Sequence, residues 1–155
     1  MNVYFLRHAE AEEEAQDDFD RKLTAKGVEQ AERAAKFLTK ASLAPALILT
    51  SPVVRAKQTA EIVRKKFPKA GFAVADWLAC GMALESCLAN LEACGESEIL
   101  LVGHEPDFSE CISAWAGCST GSGLHIRKCS LTGLDVRSFS RGGARIEFLV
   151  PARIM

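Results

Sequence analysis

The sequence lacks long hydrophobic runs and has almost no net charge. No apolar stretch approaches the roughly 18 residues of a membrane-spanning helix, and the start of the chain lacks the basic and apolar segments of a signal peptide. The 19 basic and 20 acidic residues leave a formal net charge of −1, and no basic face with stacking aromatic side chains is evident, so nucleic acid and anionic membranes are excluded as partners. We therefore expect a cytoplasmic protein that binds anions only through a local cluster.

Paired cysteines are also missing. Zinc sites usually contain two cysteines separated by a few residues, and none of the six cysteines is placed in this way. Cys80, Cys87 and Cys94 are seven residues apart, as are Cys111 and Cys118, and this spacing places each set near one face of a helix. A chain of 155 residues with 48% hydrophobic content can build its core without disulfides. We predict free thiols packed as small core residues, no metal site and no cofactor.

Strand-like and helix-like stretches alternate along the chain. Hydrophobic runs at 3–6, 46–50, 72–75 and 99–102 are separated by stretches with helical periodicity. The first helix should begin at Thr24 as its cap and carry Val28, Ala31, Ala35 and Leu38 on its inner face. Further helices should follow Pro52, cover 83–94 and cover 106–116, and runs 131–139 and 144–150 flank a glycine turn.

This alternation predicts an α/β fold. The expected architecture is a single three-layer domain over residues 1–155, with a mostly parallel sheet flanked by helices and an antiparallel hairpin at its C-terminal edge. No internal repeat and no low-complexity linker divides the chain. Residues 10–20 hold seven carboxylates in eleven positions, and this acidic loop is either a solvated surface or a docking surface for a basic partner. Residues 117–123 should form a second, flexible loop.

Three predicted strand ends carry chemically distinctive residues. Arg7 and His8 follow the first strand, Arg55 lies shortly after the second, and His104 follows the fourth. Because ligands of open α/β sheets bind beyond the carboxyl ends of the strands, these residues can share one pocket. Arginine forks match phosphate oxygens, and a histidine that is neutral at pH 7 can attack phosphorus. Each residue alone could be a surface, helix-face or capping group, but their coincidence favours a phosphoryl site.

Several segments resemble a known family in the same order along the chain. The run LRHAE at 6–10, LTAKGVEQA at 23–31, LTSPVVRAKQTAEIV at 49–63 and LLVGHEPDFSE at 100–110 resemble the motifs of the histidine phosphatase superfamily, which has the phosphoglycerate-mutase-like fold. The short chain, the RHA form and the ending IRKCSLTGLDV at 126–136 are most similar to the SixA-type protein-histidine phosphatases. The resemblance implies a metal-independent phosphatase in which His8 forms a phosphohistidine. It also implies that Arg7, Arg55 and His104 bind the phosphoryl group and that Arg21 contacts it.

The chain departs from the family pattern at two points. Ala9 stands where larger members usually have glycine, and the segment that supplies their general acid is short here. Glu85 is the best-placed candidate for that acid and Glu105 is the other; the helix pattern favours a solvent-side position for Glu85, and Glu105 can cap the helix that follows.

The missing acid bears on the substrate. An alkoxide leaving group needs a proton donor, which typically contributes about 10²–10⁴-fold to the rate, whereas neutral imidazole leaves with little help. The leading hypothesis is hydrolysis of phosphohistidine on a signalling protein. A small-molecule phosphomonoesterase with the same covalent step is the alternative, and a non-enzymatic module that binds phosphoproteins is the third.

Overall fold

Six strands and four α-helices are formed by the residues that the computed structural model describes, which are 1–119 and 123–155. The strands are β1 (Asn2–Arg7), β2 (Leu47–Thr50), β3 (Gly71–Val74), β4 (Glu98–Gly103), β5 (Leu131–Val136) and β6 (Ala144–Val150). The helices are α1 (Ala25–Lys40), α2 (Val54–Arg64), α3 (Leu84–Cys94) and α4 (Asp107–Trp115). Residues 120–122, in the middle of the predicted flexible loop 117–123, lie outside the described residues.

The strands form one mixed sheet in the order β3-β2-β4-β1-β5-β6. β1, β4, β2 and β3 run parallel, whereas β5 is antiparallel to β1 and forms an antiparallel pair with β6. The predicted α/β fold, with its mostly parallel sheet and antiparallel C-terminal hairpin, is therefore confirmed. The parallel order places β1 and β2 on either side of β4, so their carboxyl ends meet at one edge of the sheet.

Helices cover both faces of the sheet, because the strands are hydrophobic on both sides. Val3 and Phe5 of β1 point into a core with α3 and α4, whereas Tyr4 and Leu6 point into a second core with α1 and α2. Side chains alternate along a strand, so consecutive residues of one strand supply both cores. This arrangement gives the predicted three layers. None of the helices in the described residues combines the length and hydropathy needed to cross a bilayer.

The first helix begins as predicted but exposes a different face. Thr24 is its N-cap, and the Thr24 hydroxyl oxygen accepts a hydrogen bond from the Gly27 N–H at 3.0 Å. The expectation that Val28 faces the core is wrong, since Val28 is 37% exposed. The reason is a close approach of the chain at Glu10 to Gly27, where a β-carbon would overlap the Glu10 carbonyl oxygen. Gly27 therefore occupies the buried stripe, and Val28 falls at its edge.

Two further details differ from the expectations. Strand β5 ends at Val136 rather than at residue 139, because the Arg137 and Ser138 N–H groups both donate to the Gly143 carbonyl and close the turn early. All six cysteines are free thiols as expected, and Cys87, Cys111 and Cys129 are buried. Cys80 and Cys118 are exposed, so the prediction that they are core residues is wrong. Both lie outside the helices, where a seven-residue spacing no longer defines a face.

Candidate active site

Three strand ends converge as the sequence predicts. Arg7 is the last residue of β1 and pairs with Gly103 of β4, and Thr50 of β2 pairs with Val102. The chain continues this ladder for one more residue, because the His8 N–H donates to the Gly103 carbonyl at 2.9 Å and the Ser51 N–H donates to the Val102 carbonyl at 2.9 Å. His8 and His104 are thus fixed side by side at the sheet edge, with ring centroids 5.3 Å apart.

The His8 ring presents an unprotonated nitrogen to this edge. His8 Nδ1 lies 2.7 Å from the Ala9 carbonyl oxygen, and a carbonyl can only accept, so Nδ1 carries the proton. The lone pair is therefore on Nε2, which accepts a hydrogen bond from Arg55 Nε at 3.3 Å. The ring is buried, and burial is the main reason that the pKa of His8 falls from its ordinary value to about 3. The nitrogen that a nucleophile needs is free at neutral pH.

Arg55 and Arg21 meet at the acidic loop. Arg55 lies in the first turn of α2, and its Nη1 donates to the Asp18 carbonyl at 2.7 Å and its Nη2 to Asp18 Oδ2 at 3.0 Å. Arg21 Nη1 donates to Asp18 Oδ1 at 2.8 Å, and Arg21 Nε donates to the Glu12 carbonyl. The hydrogen bond from Arg21 is the main cause of the lowered pKa of Asp18. One carboxylate therefore contacts both arginines, of which Arg55 also contacts His8.

Arg7 and His104 each leave a buried polar atom without a partner in residues 1–119 and 123–155. Arg7 Nη1 donates to the Ile126 carbonyl at 2.8 Å, but Arg7 Nε has no partner. His104 Nε2 lies 2.8 Å from the Ser51 hydroxyl, but His104 Nδ1 has no partner. A buried polar atom that makes no hydrogen bond typically costs about 1–3 kcal/mol. Two such atoms at one sheet edge are typical of a site whose ligand supplies their partner.

Burial and the neighbouring arginines set the charges of the site. Burial is also the main reason that the pKa of His104 falls to about 4, with the Arg55 charge as the next cause. Both histidines are therefore neutral at pH 7, and the positive charge of the site resides on arginines. Burial lowers the pKa of Arg7 from its ordinary value as well. Arginine forks with neutral imidazoles can bind a tetrahedral oxyanion and leave one imidazole nitrogen free to attack it.

The sequence and the fold of this chain are similar to those of known proteins. The model of the histidine phosphatase superfamily (branch 1) matches residues 3–76, which include Arg7, His8, Arg21 and Arg55. An uncharacterised protein of Picosynechococcus is 39% identical over 95% of this chain and 89% of its own length. A solved structure from Agrobacterium tumefaciens that bears the name SixA superposes with a TM-score of 0.83 at 28% identity, and the match covers 97% of both chains.

A second SixA structure, the protein histidine phosphatase complexed with tungstate, has a TM-score of 0.89 at 22% identity and covers 99% of this chain and 98% of its own. At that identity the likeness concerns the fold.

The chain belongs to the histidine phosphatase superfamily. The family match and the SixA-like neighbours together support a phosphatase enzyme, so the non-enzymatic binding module is set aside. The family resemblance and the fold predicted from the sequence are both confirmed. The roles of individual side chains in this histidine phosphatase remain predictions, which the contacts described above support for His8, Arg7, Arg55, His104 and Arg21.

The two general-acid candidates of this phosphatase lie in different places. Glu105 is half-buried directly after His104, and burial is the main reason that its pKa is raised. Its Oε1 accepts a hydrogen bond from the Ser109 N–H at 3.1 Å, so it caps α4 as the sequence suggests. Glu85 is exposed and pairs with Arg141 at 3.6 Å. Glu85 lines a cavity of about 310 Å³ beside α3 and α4. The residues around this cavity do not include Arg7, His8, Arg21, Arg55 or His104.

Two residues of this site have no assigned role in the sequence prediction. Asp18 is one of seven carboxylates in the acidic loop, and nothing in their spacing distinguishes it. Ser51 opens the segment that contains Arg55 and could have been noticed as the residue that follows β2. Its hydroxyl accepts from the Val53 N–H at 3.2 Å and contacts His104. Only the tertiary contacts reveal that Asp18 and Ser51 touch the arginines and the second histidine.

Proposed function

We propose that this phosphatase hydrolyses phosphohistidine on a protein, through a covalent intermediate on His8. The observation that carries the covalent step is the free Nε2 of His8, held by the bond from Nδ1 to the Ala9 carbonyl. In the first step Nε2 attacks the phosphorus of a phosphohistidine whose ring carries a proton on its other nitrogen; the P–N bond of the substrate breaks, its electron pair stays on the ring nitrogen, and the ring departs as neutral imidazole. In the second step water attacks phospho-His8, the new P–N bond breaks, and inorganic phosphate is released.

The hydrogen bond at Nδ1 serves both steps. When Nε2 is phosphorylated, the His8 ring becomes a cation that keeps its Nδ1 proton, and the Ala9 carbonyl oxygen at 2.7 Å stabilises that charge. When the phosphoryl group leaves, the ring returns to neutral imidazole without a further proton. Arg7, Arg55 and His104 would bind the phosphoryl oxygens throughout, and Arg7 Nε and His104 Nδ1 are the atoms with a free hydrogen-bonding position.

The carboxylates around the site support a phosphohistidine rather than an alkyl phosphate. Asp18 has a lowered pKa and is ionised at pH 7, so it has no proton to donate. Glu85 pairs with Arg141 at the surface. Glu105 is engaged at the start of α4. A substrate that leaves as neutral imidazole does not need a proton donor, whereas an alkoxide does.

One observation favours a small phosphate ester as the second candidate. Glu105 is half-buried beside His104, and its pKa is raised by burial, which is how enzymes keep a carboxylic acid protonated for general-acid catalysis. Its second carboxyl oxygen makes no hydrogen bond to residues 1–119 and 123–155. If Glu105 donates a proton to a leaving oxygen, a small-molecule phosphomonoesterase becomes the better description.

The deciding experiment compares leaving groups in native and variant proteins. We expect kcat/KM on a protein phosphorylated at histidine to exceed that on an alkyl phosphate, and His8→Ala to abolish turnover of both. Glu105→Gln keeps an oxygen that can accept from the Ser109 N–H but cannot donate an acidic proton, so it should change phosphohistidine turnover less than about threefold, compared with the roughly 10²–10⁴-fold of a true general acid. Glu85→Gln is the matched control.

The opposite pattern would replace this proposal. If an unactivated alkyl phosphate is the best substrate and Glu105→Gln lowers its kcat by about 10²-fold or more, the enzyme is a small-molecule phosphatase. Retention of more than a few per cent of the rate by His8→Ala would contradict the covalent step itself. Denaturation at alkaline pH during turnover of an aryl phosphate should in addition trap phosphate on His8, because the P–N bond is stable to base and labile to acid, and peptide mapping at alkaline pH can locate it.

A further inference from the structure

Asp18 contacts two arginines of the site, Arg21 and Arg55. Its carboxylate lies in the 3-10 turn Asp18–Asp20, with Oδ1 2.8 Å from Arg21 Nη1 and Oδ2 3.0 Å from Arg55 Nη2. Its carbonyl oxygen also accepts from Arg55 Nη1 at 2.7 Å. Three hydrogen bonds to two arginines make this residue more than one member of a solvated acidic loop.

The hydrogen bonds to Asp18 use the edge of the Arg55 guanidinium formed by Nη1 and Nη2. The neighbouring edge, formed by Nε and Nη2, faces His8. Asp18 binds Nη1 and Nη2, whereas Nε faces His8 Nε2 at 3.3 Å. On the same edge Nη2 lies 4.0 Å from the Cys80 sulfur, which is only a weak acceptor. The contact from Nε to His8 and the contact from Nη2 to Cys80 are both long, so phosphoryl oxygens can replace them while the hydrogen bonds to Asp18 persist.

Arg21 depends on the same carboxylate. Its guanidinium is held by two bonds, one from Nε to the Glu12 carbonyl and one from Nη1 to Asp18. Arg21 Nη2 makes no hydrogen bond within the part of the chain that the structure describes and is available to a ligand. An arginine side chain has several rotatable bonds, so a guanidinium that lost the Asp18 contact would keep a single anchor and sample other orientations.

We propose that Asp18 is a positioning residue that holds Arg21 and Arg55 in the orientation in which both bind the phosphoryl group attacked by His8. The inference rests on the proposed function only in that this pocket binds a phosphoryl group. Repulsion between Asp18 and a bound phosphate is the opposing effect. Asp18 is 64% exposed, so water and salt screen its charge, whereas the Arg55 side chain is only 7% exposed and its orientation is fixed by its contacts. The phosphate affinity gained from the correct orientation of the arginines should therefore exceed the affinity lost to repulsion from Asp18.

The test measures phosphate binding apart from turnover. Calorimetric titration with inorganic phosphate gives its Kd for the native chain, Asp18→Ala, Asp18→Asn and Asp20→Asn, and steady-state kinetics on an aryl phosphate give kcat and KM. A misplacement of about 1 Å at a reacting centre can cost roughly 10²-fold, so we expect Asp18→Ala to raise the Kd for phosphate and the KM about tenfold or more. Asp18→Asn keeps one oxygen acceptor and should lie between.

Asp20→Asn is the matched control, since Asp20 lies in the same turn and is exposed; it should bind phosphate as the native chain does. The effect of Asp18→Ala should also be smaller in an Arg21→Ala background, because part of its action passes through Arg21. If Asp18 had a merely structural role, Asp18→Ala would lower the melting temperature, leave the phosphate Kd unchanged and show no coupling to Arg21→Ala.

Three results would overturn the proposal. Asp18→Ala could bind phosphate as tightly as the native chain or more tightly, which would mean that the carboxylate competes with phosphate. The effects of Asp18→Ala and Arg21→Ala could be fully additive, and then Asp18 does not act through Arg21. Asp20→Asn could match Asp18→Asn, and then only loop charge matters. Phosphate titration needs no phosphohistidine, so it reports on Asp18 even if the enzyme proves to prefer esters.

Discussion

The buried histidines make the stability of this protein sensitive to acid. The pKa of His8 is about 3 and that of His104 about 4 in the folded chain, against an ordinary value of 6.5. Between these values the unfolded chain binds more protons, so the free energy of unfolding rises with pH. The stabilisation is complete above about pH 6.5 and is lost as the pH falls. At pH 5 the loss should be about 2 kcal/mol for each histidine.

Urea unfolding at pH 7 and pH 5 measures this loss. Carboxylates also titrate in this range, so the informative quantity is the difference between the native chain and a variant. His8→Asn should lose about 2 kcal/mol less than the native chain between the two pH values. His125→Asn is the matched control, because His125 is the exposed third histidine and should leave the fall unchanged. An identical fall in the native chain and in His8→Asn would show that His8 is not held neutral.

Gly27 of helix α1 packs closely against the loop that follows β1. In an exposed helix interior, replacing glycine by alanine usually stabilises by up to about 1 kcal/mol. Here the added methyl group would overlap the Glu10 carbonyl oxygen, which itself accepts from the Thr24 N–H at 3.1 Å. We expect Gly27→Ala to destabilise the fold by about 1–3 kcal/mol, measured as a lower melting temperature. Glu29→Ala, at an exposed position of α1, should have little effect, and a stabilised Gly27→Ala would contradict this packing.

The strand ends and caps were the elements most predictable from the sequence. Arg7, His8 and His104 directly follow hydrophobic runs, and Thr24 is a strong cap, so local patterns alone place them. The buried face of α1 was less predictable. It depends on the close contact between Gly27 and the Glu10 backbone, which lie in two segments that no local sequence pattern connects. Cys80 shows the same limit, because its seven-residue spacing from Cys87 has meaning only if both lie in one helix, and α3 begins at Leu84.

The site was predictable to the extent that family-like motifs lie on strand ends. Arg55 and Arg21 were expected in it, but their shared partner Asp18 was not, since seven carboxylates in one loop look alike in a sequence. Its role depends on how the 3-10 turn folds back over the start of α2. Contacts between a surface loop and a helix terminus are set by tertiary packing, which hydrophobic periodicity does not encode.

The prediction that residues 1–155 form one domain can be tested through the two cores. Because consecutive residues of β1 and β4 enter opposite cores, neither core can come apart without disrupting strands that the other needs. Both tryptophans, Trp77 and Trp115, belong to the core with α3 and α4. Leu38 lies fully buried in the core with α1 and α2. A signal from one core can therefore report on damage in the other.

We expect Leu38→Ala to lower the free energy of unfolding by about 2–5 kcal/mol and to shift the tryptophan fluorescence transition in urea by the same amount as the far-ultraviolet circular dichroism transition. Leu91→Ala, which removes a fully buried leucine from the tryptophan-containing core, is the matched variant and should shift both signals equally too. Coincident transitions with an unchanged dependence on urea indicate a single cooperative unit. If Leu38→Ala moved the circular dichroism transition and left the fluorescence transition in place, the two sides of the sheet would unfold separately and the single-domain prediction would be wrong.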